Sequence, residues 1–328
     1  MKLASLKNNS RDGALVVVSK NLLTACTVND IAPSLIRALE SWASVGEKLQ
    51  QVYEDLNNQK VKNSFKLNMK KLCSPLPRSY QWLDGSAYLP HVRRVRKARN
   101  ADMPESFLTD PLMYQGSSDS FSGPCDDIPL MDESWGADFE SEVAIITDDI
   151  PIQTTAHQAA SHIALLMLAN DYSLRNLIPS ELAKGFGFIH GKPSGSFSPV
   201  AVTPDELNEH WQHCKLHLPL KTWLNGELFG EPDAGTDMQF GFDQLIEHAC
   251  KSRQLSAGTI IGSGTVSNAD ETLGASCLVE KRVIEIAQSG KAKTPYLKYG
   301  DRIKIEMLDA SEQSIFGAIE QRVVQWHP

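Results

Sequence analysis

The sequence predicts a mixed α+β fold, rich in β structure, with a small N-terminal domain and a larger C-terminal domain. Three observations lead there. A long stretch of helical spacing dominates the first part of the chain, whereas short strand-like runs and turn signals recur beyond Pro199. Pro75 and Pro77 punctuate the chain between the two, which places the boundary near there and gives units 1–77 and 78–328. Finally, Asp138-Phe139-Glu140-Ser141-Glu142 runs straight into apolar Val143-Ala144-Ile145-Ile146, as a strand entering a core would.

Taken in order, Leu15-Val16-Val17-Val18 follows an Asp12-Gly13 turn and reads as a strand. From Pro33 to Leu56, Leu35, Ile36, Leu39, Trp42, Val45 and Leu49 recur at helical spacing. Tyr80 to Tyr88 is rich in aromatic residues, and Arg93-Arg94-Val95-Arg96-Lys97-Ala98-Arg99 is a basic run. Such a run is either a solvated helix face or a device for capturing an anion or a carboxylate near an active site. Ser117 to Asp132 has loop composition. His157 to Ala169, with Ile163 and Leu165 to Leu168 almost continuously apolar, predicts a buried helix that Asn170-Asp171 ends. Leu224-Asn225-Gly226-Glu227-Leu228 is a hairpin signal. Phe242 to Cys250 reads as a short helix, and Thr259-Ile260-Ile261 and Arg302-Ile303-Lys304-Ile305-Glu306 read as strands.

The bulk numbers narrow the function. With 328 residues, 41% apolar and 22% charged, the composition is that of a globular protein. A formal net charge of −8 argues against nucleic acid or an anionic membrane as the main partner. No apolar run approaches a membrane span, and Met1 to Leu6 leads into polar Lys7 to Asp12 without a signal-peptide core, so a cytoplasmic protein is expected. Six scattered cysteines without Cys-x-x-Cys spacing predict free, mostly buried thiols.

Glu140 and Glu142 are two apart, so in an extended chain both carboxylates project the same way. They are either a solvated pair or a pair that needs a proton or a hard divalent cation. Asp171 and Arg175 have the spacing of a surface helix ion pair, but Asp171 ends a strongly apolar element. Other motifs fail on inspection. Gly185 to Lys192 lacks phosphate-loop spacing, and Gly262-Ser263-Gly264 lacks the third glycine of a dinucleotide fingerprint. No Gly-x-Ser-x-Gly elbow occurs. His210, His213 and His217 could share a helical face and bind zinc, but they lack a His-Glu-x-x-His order, and surface histidines before a strand are the better reading.

Several segments fall into a longer order. Asp84 is followed by His91, then Tyr114-Gln115-Gly116, Asp138 to Glu142 and Asn170-Asp171-Tyr172-Ser173-Leu174-Arg175. Gly191-Lys192-Pro193, the Asn225-Gly226 hairpin, Gly262 to Ser267 and Gly300 to Glu306 complete it. From about Tyr80 to Val323 this ordered set resembles the fumarylacetoacetate hydrolase family, and Met1 to Pro77 resembles the small N-terminal domain of its two-domain members. The resemblance implies a C-terminal mixed β-roll domain and a homodimer.

Carried over by residue, the resemblance implies four metal ligands, Asp84, Glu140, Glu142 and Asp171, around Mg²⁺ or Ca²⁺, with Mn²⁺ a further candidate. It implies His91 as general base, Glu280 as the carboxylate that orients it, and Arg175 and Lys192 as oxyanion-stabilising cations. Tyr114 and Thr265 match substrate-contacting positions, with Tyr88 a further candidate. The expected reaction is metal-dependent hydrolysis of a C–C bond in a small β-diketo acid. Fumarylacetoacetate, cleaved to fumarate and acetoacetate in tyrosine and phenylalanine breakdown, is the leading substrate. A decarboxylase or isomerase of another β-keto acid is the alternative. Two departures bear on the substrate: a family tyrosine falls at Ser86 and an oxyanion-site glutamine at Ile178.

Overall fold

The computed structural model describes residues 1–98 and 102–327. Arg99 of the basic run, and Pro328 at the end of the second expected unit, lie outside the described residues. A mixed sheet of eleven strands forms the backbone of the molecule. Its order runs from Phe65–Lys66 through Thr24–Thr27, Ala14–Val18 and Lys2–Leu6 to Ala201–Val202, then through Ile163–Asn170, Ser141–Thr147, Ile260–Gly262 and Trp82–Gly85 to Met113–Gly116. The remaining strand, Ser196–Phe197, pairs with Ile163–Asn170. The small N-terminal domain therefore shares a sheet with the rest. Lys2 pairs with Val202 and Leu3 with Ala201, all antiparallel.

The helix predicted over Pro33 to Leu56 forms in two pieces, Leu35–Leu39 and Trp42–Asn57, broken at Glu40-Ser41. In the second piece Val45, Leu49, Tyr53 and Leu56 are the buried stripe. They join a core with Leu3, Leu15 and Val17 on one face of the large sheet.

The predicted buried helix from His157 to Ala169 is corrected by the structure. Only Ala156–Ala159 is α-helical, a 3₁₀ turn follows over Ala160–His162, and Ile163–Asn170 is a central strand antiparallel to Ser141–Thr147. The apolar run misleads because this strand is covered on both faces. Leu166 and Leu168 enter one core, while Leu165, Met167 and Ala169 enter the other. A strand buried on both faces carries no polar alternation, so its periodicity matches that of a buried helix.

A second sheet of five strands packs over the first in the order Glu227–Gly230, Leu220–Leu224, Arg302–Met307, Ile319–Gln325, Ile128–Leu130. Ile303, Ile305, Met307 and Ile319 share the inter-sheet core with Leu166 and Leu168. The Asn225-Gly226 turn holds φ of 55° and 86°, both left-handed, as a tight hairpin requires. Helices Leu89–Ala98 and Leu278–Ser289 lie against each other and bring two parts of the site together. No helix among the described residues is long and apolar enough to cross a membrane.

Candidate active site

Three strand ends build the site. Asp84 lies on Trp82–Gly85, which runs parallel to Ile260–Gly262 with Gly262 opposite Asp84. On its other edge Gly262 pairs with Ala144, two residues beyond Glu142. Asp171 follows the end of Ile163–Asn170, where Asn170 pairs with Ser141. Carboxylate oxygens, one each from Asp84, Glu142 and Asp171, consequently lie within 4.8 Å of one another, and all three residues are buried.

This trio has the properties of a cation cradle. Neither oxygen of Glu142 has a hydrogen-bond partner among the described residues. Burial, then the Asp84 carboxylate beside it, pushes Glu142 well above the usual carboxylate range. Burial and then Asp171 do the same to Asp84. Gly262 keeps the space open: a Cβ there would collide with Asp84 Oδ1 and come within 3.1 Å of Glu142 Oε2. An all-oxygen, carboxylate-rich cluster fits a hard divalent cation.

Glu140 stands outside the trio. It bridges Cys277 through its backbone, and its carboxylate meets Lys192 Nζ at 2.6 Å and Arg175 Nη2. Burial alone would raise its pKa, but Arg175 and then Lys192 outweigh burial and lower it to about 2. Lys192 Nζ also contacts Asp171, so this ammonium links Glu140 to the trio. Those two carboxylates more than offset the burial of Lys192 and raise its pKa, which keeps it charged.

The Asp171–Arg175 helix pair does not form. After Asn170 the chain is extended, and Ser173 pairs with Asp138. Arg175 is therefore set beside Asp138, with Nε 2.8 Å from Asp138 Oδ2. Asp138 also accepts the Leu278 and Val279 N–H groups at 2.7 and 3.0 Å, capping the helix that carries Glu280. Sequence reasoning missed this role, because a cap supplied from 140 residues away leaves no local signal.

His91 Nδ1 lies 2.6 Å from Glu280 Oε2. The other oxygen of Glu280 accepts from Arg94 Nη1 at 2.7 Å and from Ser267 Oγ at 2.8 Å. Burial would raise Glu280, but the His91 hydrogen bond, with Ser267 and Arg94, keeps its pKa below the ordinary 4.5. Part of the basic run is thus not a solvated face: Arg94 holds a buried carboxylate beside the cleft and donates to the Asn268 and Ala269 carbonyls. Cys277 completes a second tight group with His91 and Glu280, and burial raises its thiol pKa well above 9.0. All six cysteines are free.

Asp84, His91, Tyr114, Glu140, Arg175, Lys192 and Thr265 line one cleft of about 360 Å³. A family model described as fumarylacetoacetate hydrolase, C-terminal, matches residues 81–324. The chain belongs to the fumarylacetoacetate hydrolase family. A second model, fumarylacetoacetase N-terminal domain 2, matches residues 1–78. A family relative, the 2,4-didehydro-3-deoxy-L-rhamnonate hydrolase of Sphingomonas sp. SKA58, is 26% identical over 63% of this chain and 65% of its own length, just under two thirds of that protein. The oxaloacetate tautomerase YisK of Bacillus subtilis is 26% identical over 74% of this chain and 71% of its own. Among solved structures, a maleylpyruvate hydrolase of Sphingobium sp. SYK-6, in complex with manganese(II) and pyruvate, superposes with a TM-score of 0.66 at 17% identity, covering all of both chains. At that identity the match speaks for the fold.

Against this family frame the remaining candidate residues sort by contact. Tyr114 Oη donates to both oxygens of Asp171, at 2.8 and 2.7 Å, and its ring faces Lys192 Nζ and Phe188. Thr265 is buried in the cleft wall. Tyr88 also lines the cleft, and its hydroxyl donates to the Ala234 carbonyl at 2.5 Å. Ser86 and Ile178, the two departures, both line the cleft. His210, His213 and His217 share no helical face: His213 has φ of 51° and the flanking residues form a small hairpin.

Proposed function

We propose that the chain is a divalent-cation-dependent hydrolase of a C–C bond in a β-diketo acid. The observation that carries this reading is the Glu142 carboxylate, unpartnered among the described residues, beside Asp84 and Asp171, next to a cleft lined by His91, which Glu280 holds from behind. Asp84, Glu142 and Asp171 would hold the cation, with Glu140 next to them. When bound, Mg²⁺, Ca²⁺ or Mn²⁺ supplies Lewis-acid polarisation of the substrate's adjacent oxygens. The manganese and pyruvate bound by the related maleylpyruvate hydrolase support that chemistry.

The protein's own groups supply the rest. Glu280 accepts from His91 Nδ1, which leaves Nε2 free as a base. His91 takes a proton from water as the water oxygen bonds to the carbonyl carbon. Lys192, kept charged, stabilises the resulting oxyanion. Arg175 acts chiefly by holding Glu140 and Asp138 in place. The C–C bond then breaks, its electron pair leaves on an enolate carbon, and the His91 imidazolium returns the proton there. Two products result, a carboxylic acid and a ketone that retains the keto-acid end.

Fumarylacetoacetate is the reference substrate for the test. Protein loaded with Mg²⁺ or Mn²⁺ should release fumarate and acetoacetate, and His91→Ala should abolish that release. Absence of both products, with His91→Ala indistinguishable from wild type, defeats the reading. Enol–keto interconversion without C–C cleavage would instead favour a tautomerase, as in the YisK relative, because proton transfer at His91 alone suffices for it.

A further inference from the structure

Two groups of three potential metal ligands occur among the described residues. One is the carboxylate trio, which offers oxygen alone. The other is His91, Cys277 and Glu280, with a ring nitrogen, a sulfur and a carboxylate oxygen within 4.8 Å of one another. Two helices bring it together. Cys277 is the N-cap of Leu278–Ser289 and Glu280 its third residue, positions whose side chains lie side by side. His91 reaches them from the packed helix Leu89–Ala98. Cys277 and Glu280 are fully buried, whereas His91 is partly exposed and lines the cleft.

This donor set differs in kind from the trio's. Nitrogen, sulfur and oxygen together suit a borderline-soft cation, and Zn²⁺ takes all three. Mg²⁺ and Ca²⁺ seek oxygen and gain nothing from a thiol. Three protein ligands leave a fourth position for water, which the cleft beside His91 can supply. A thiolate and the Glu280 carboxylate together neutralise a dication. Glu280 Oε1 is held by Arg94 and Ser267, so Oε2 is the oxygen on offer. His91 Nδ1 stands 2.6 Å from it. Tetrahedral zinc, with bonds of about 2.0–2.3 Å, sets its ligands about 3.3–3.8 Å apart, so that pair opens by about 1 Å as the ion enters.

We propose that His91, Cys277 and Glu280 form an inhibitory zinc site, separate from the carboxylate trio. Zn²⁺ replaces the thiol proton of Cys277, which goes to solvent. Bound at His91 Nε2, the ion uses the lone pair of the base directly. Bound at Nδ1, it takes the place of the proton facing Glu280, and that proton moves to Nε2. In both cases His91 no longer accepts a proton from water. The inhibition rests on the hydrolase reading above; the metal site rests on the three side chains alone.

Co²⁺ is the probe, because a cobalt–thiolate bond gives a near-ultraviolet charge-transfer band that an all-oxygen site lacks. Protein saturated with Mg²⁺ and titrated with Co²⁺ should develop that band, and excess Zn²⁺ should erase it. Cys277→Ala should abolish the band. His91→Ala, at a partly exposed position and so with little folding risk, should weaken Co²⁺ binding at least about tenfold, since loss of even an outer partner of a ligand costs that much. No band in wild type, a band unchanged in Cys277→Ala, an affinity unchanged in His91→Ala, or a band that Zn²⁺ leaves intact overturns the proposal. Zinc inhibition of cleavage that Cys277→Ala does not relieve also counts against it. Failure to cleave any β-diketo acid removes the hydrolase reading, while the cobalt band still decides the site.

Discussion

Arg94 Nη1 lies 2.7 Å from Glu280 Oε1, while His91, one helical turn earlier, holds Oε2 at 2.6 Å. One helix thus grips both oxygens of a single buried carboxylate. Arg94 keeps Glu280 ionised and in position, and Glu280 in turn fixes the tautomer of His91. Arg94→Met should lower kcat by roughly 10–100-fold with KM little changed, as expected when an outer partner of a site residue is lost. Arg94→Lys should recover part of the loss. Steady-state kinetics on both variants decides it; a change confined to KM argues against a positioning role.

Glu142→Gln removes one of the crowded buried carboxylates and one proposed metal ligand together. In metal-free protein, melting should therefore move up. The rise in Tm that Mg²⁺ or Mn²⁺ gives wild type should be largely lost. Thermal melts with and without the ion measure both. A variant that keeps the full metal-induced shift would remove Glu142 from the ligand set.

Gly262→Ala drives a methyl group into both Asp84 Oδ1 and the Trp82 ring. Overpacking of this kind costs about 1–3 kcal/mol. Metal affinity should fall further than stability, because one displaced atom belongs to the proposed ligand Asp84. Calorimetric titration of the ion beside a denaturation curve separates the two effects.

Asp138→Ala leaves Arg175 without one buried partner and the Leu278 helix without its cap. Breaking a buried pair from one side costs about 3–5 kcal/mol. Asp138→Asn keeps an oxygen for the cap and should lose less. Urea midpoints for the two variants give the order.

The pH dependence follows from Glu280, whose folded pKa is depressed below 4.5 by His91, Ser267 and Arg94 acting against burial. A depressed acid contributes stability above its unfolded pKa, and that contribution fades as pH falls through the folded value. The Tm gap between wild type and Glu280→Gln should be full near neutral pH and shrink below about pH 4.5. A gap that widens in acid contradicts the assignment.

Different parts of this protein were legible to different degrees. Asp84, His91, Glu142, Asp171 and Lys192 lie in short motifs whose order matches the family resemblance, so the polar residues in and beside the cleft were visible before any coordinates. The Asn225-Gly226 hairpin was visible because left-handed backbone demands those residues. The strand Ile163–Asn170 was not, since burial on both faces erases the alternation that marks a strand. Arg94 was hidden inside a run of like charges, and Asp138 beside a louder pair of glutamates. Their partners, Glu280 and the Leu278 helix, are distant in sequence, and no local pattern records such contacts. The separate state of Glu140 depends on which cations fold against it.

The pairing of Lys2 and Leu3 with Val202 and Ala201 gives the first domain a protective duty. Leu166, on the strand that leads to Asp171, is the next neighbour of Val202. Without the N-terminal strand, Ala201–Val202 would present bare N–H and C=O groups to solvent, an invitation to pair with another molecule. A shortened chain beginning near Pro77 should therefore stick to itself rather than behave as a smaller version of the same protein. The segment that contains no candidate site residue keeps the sheet behind the site from becoming adhesive.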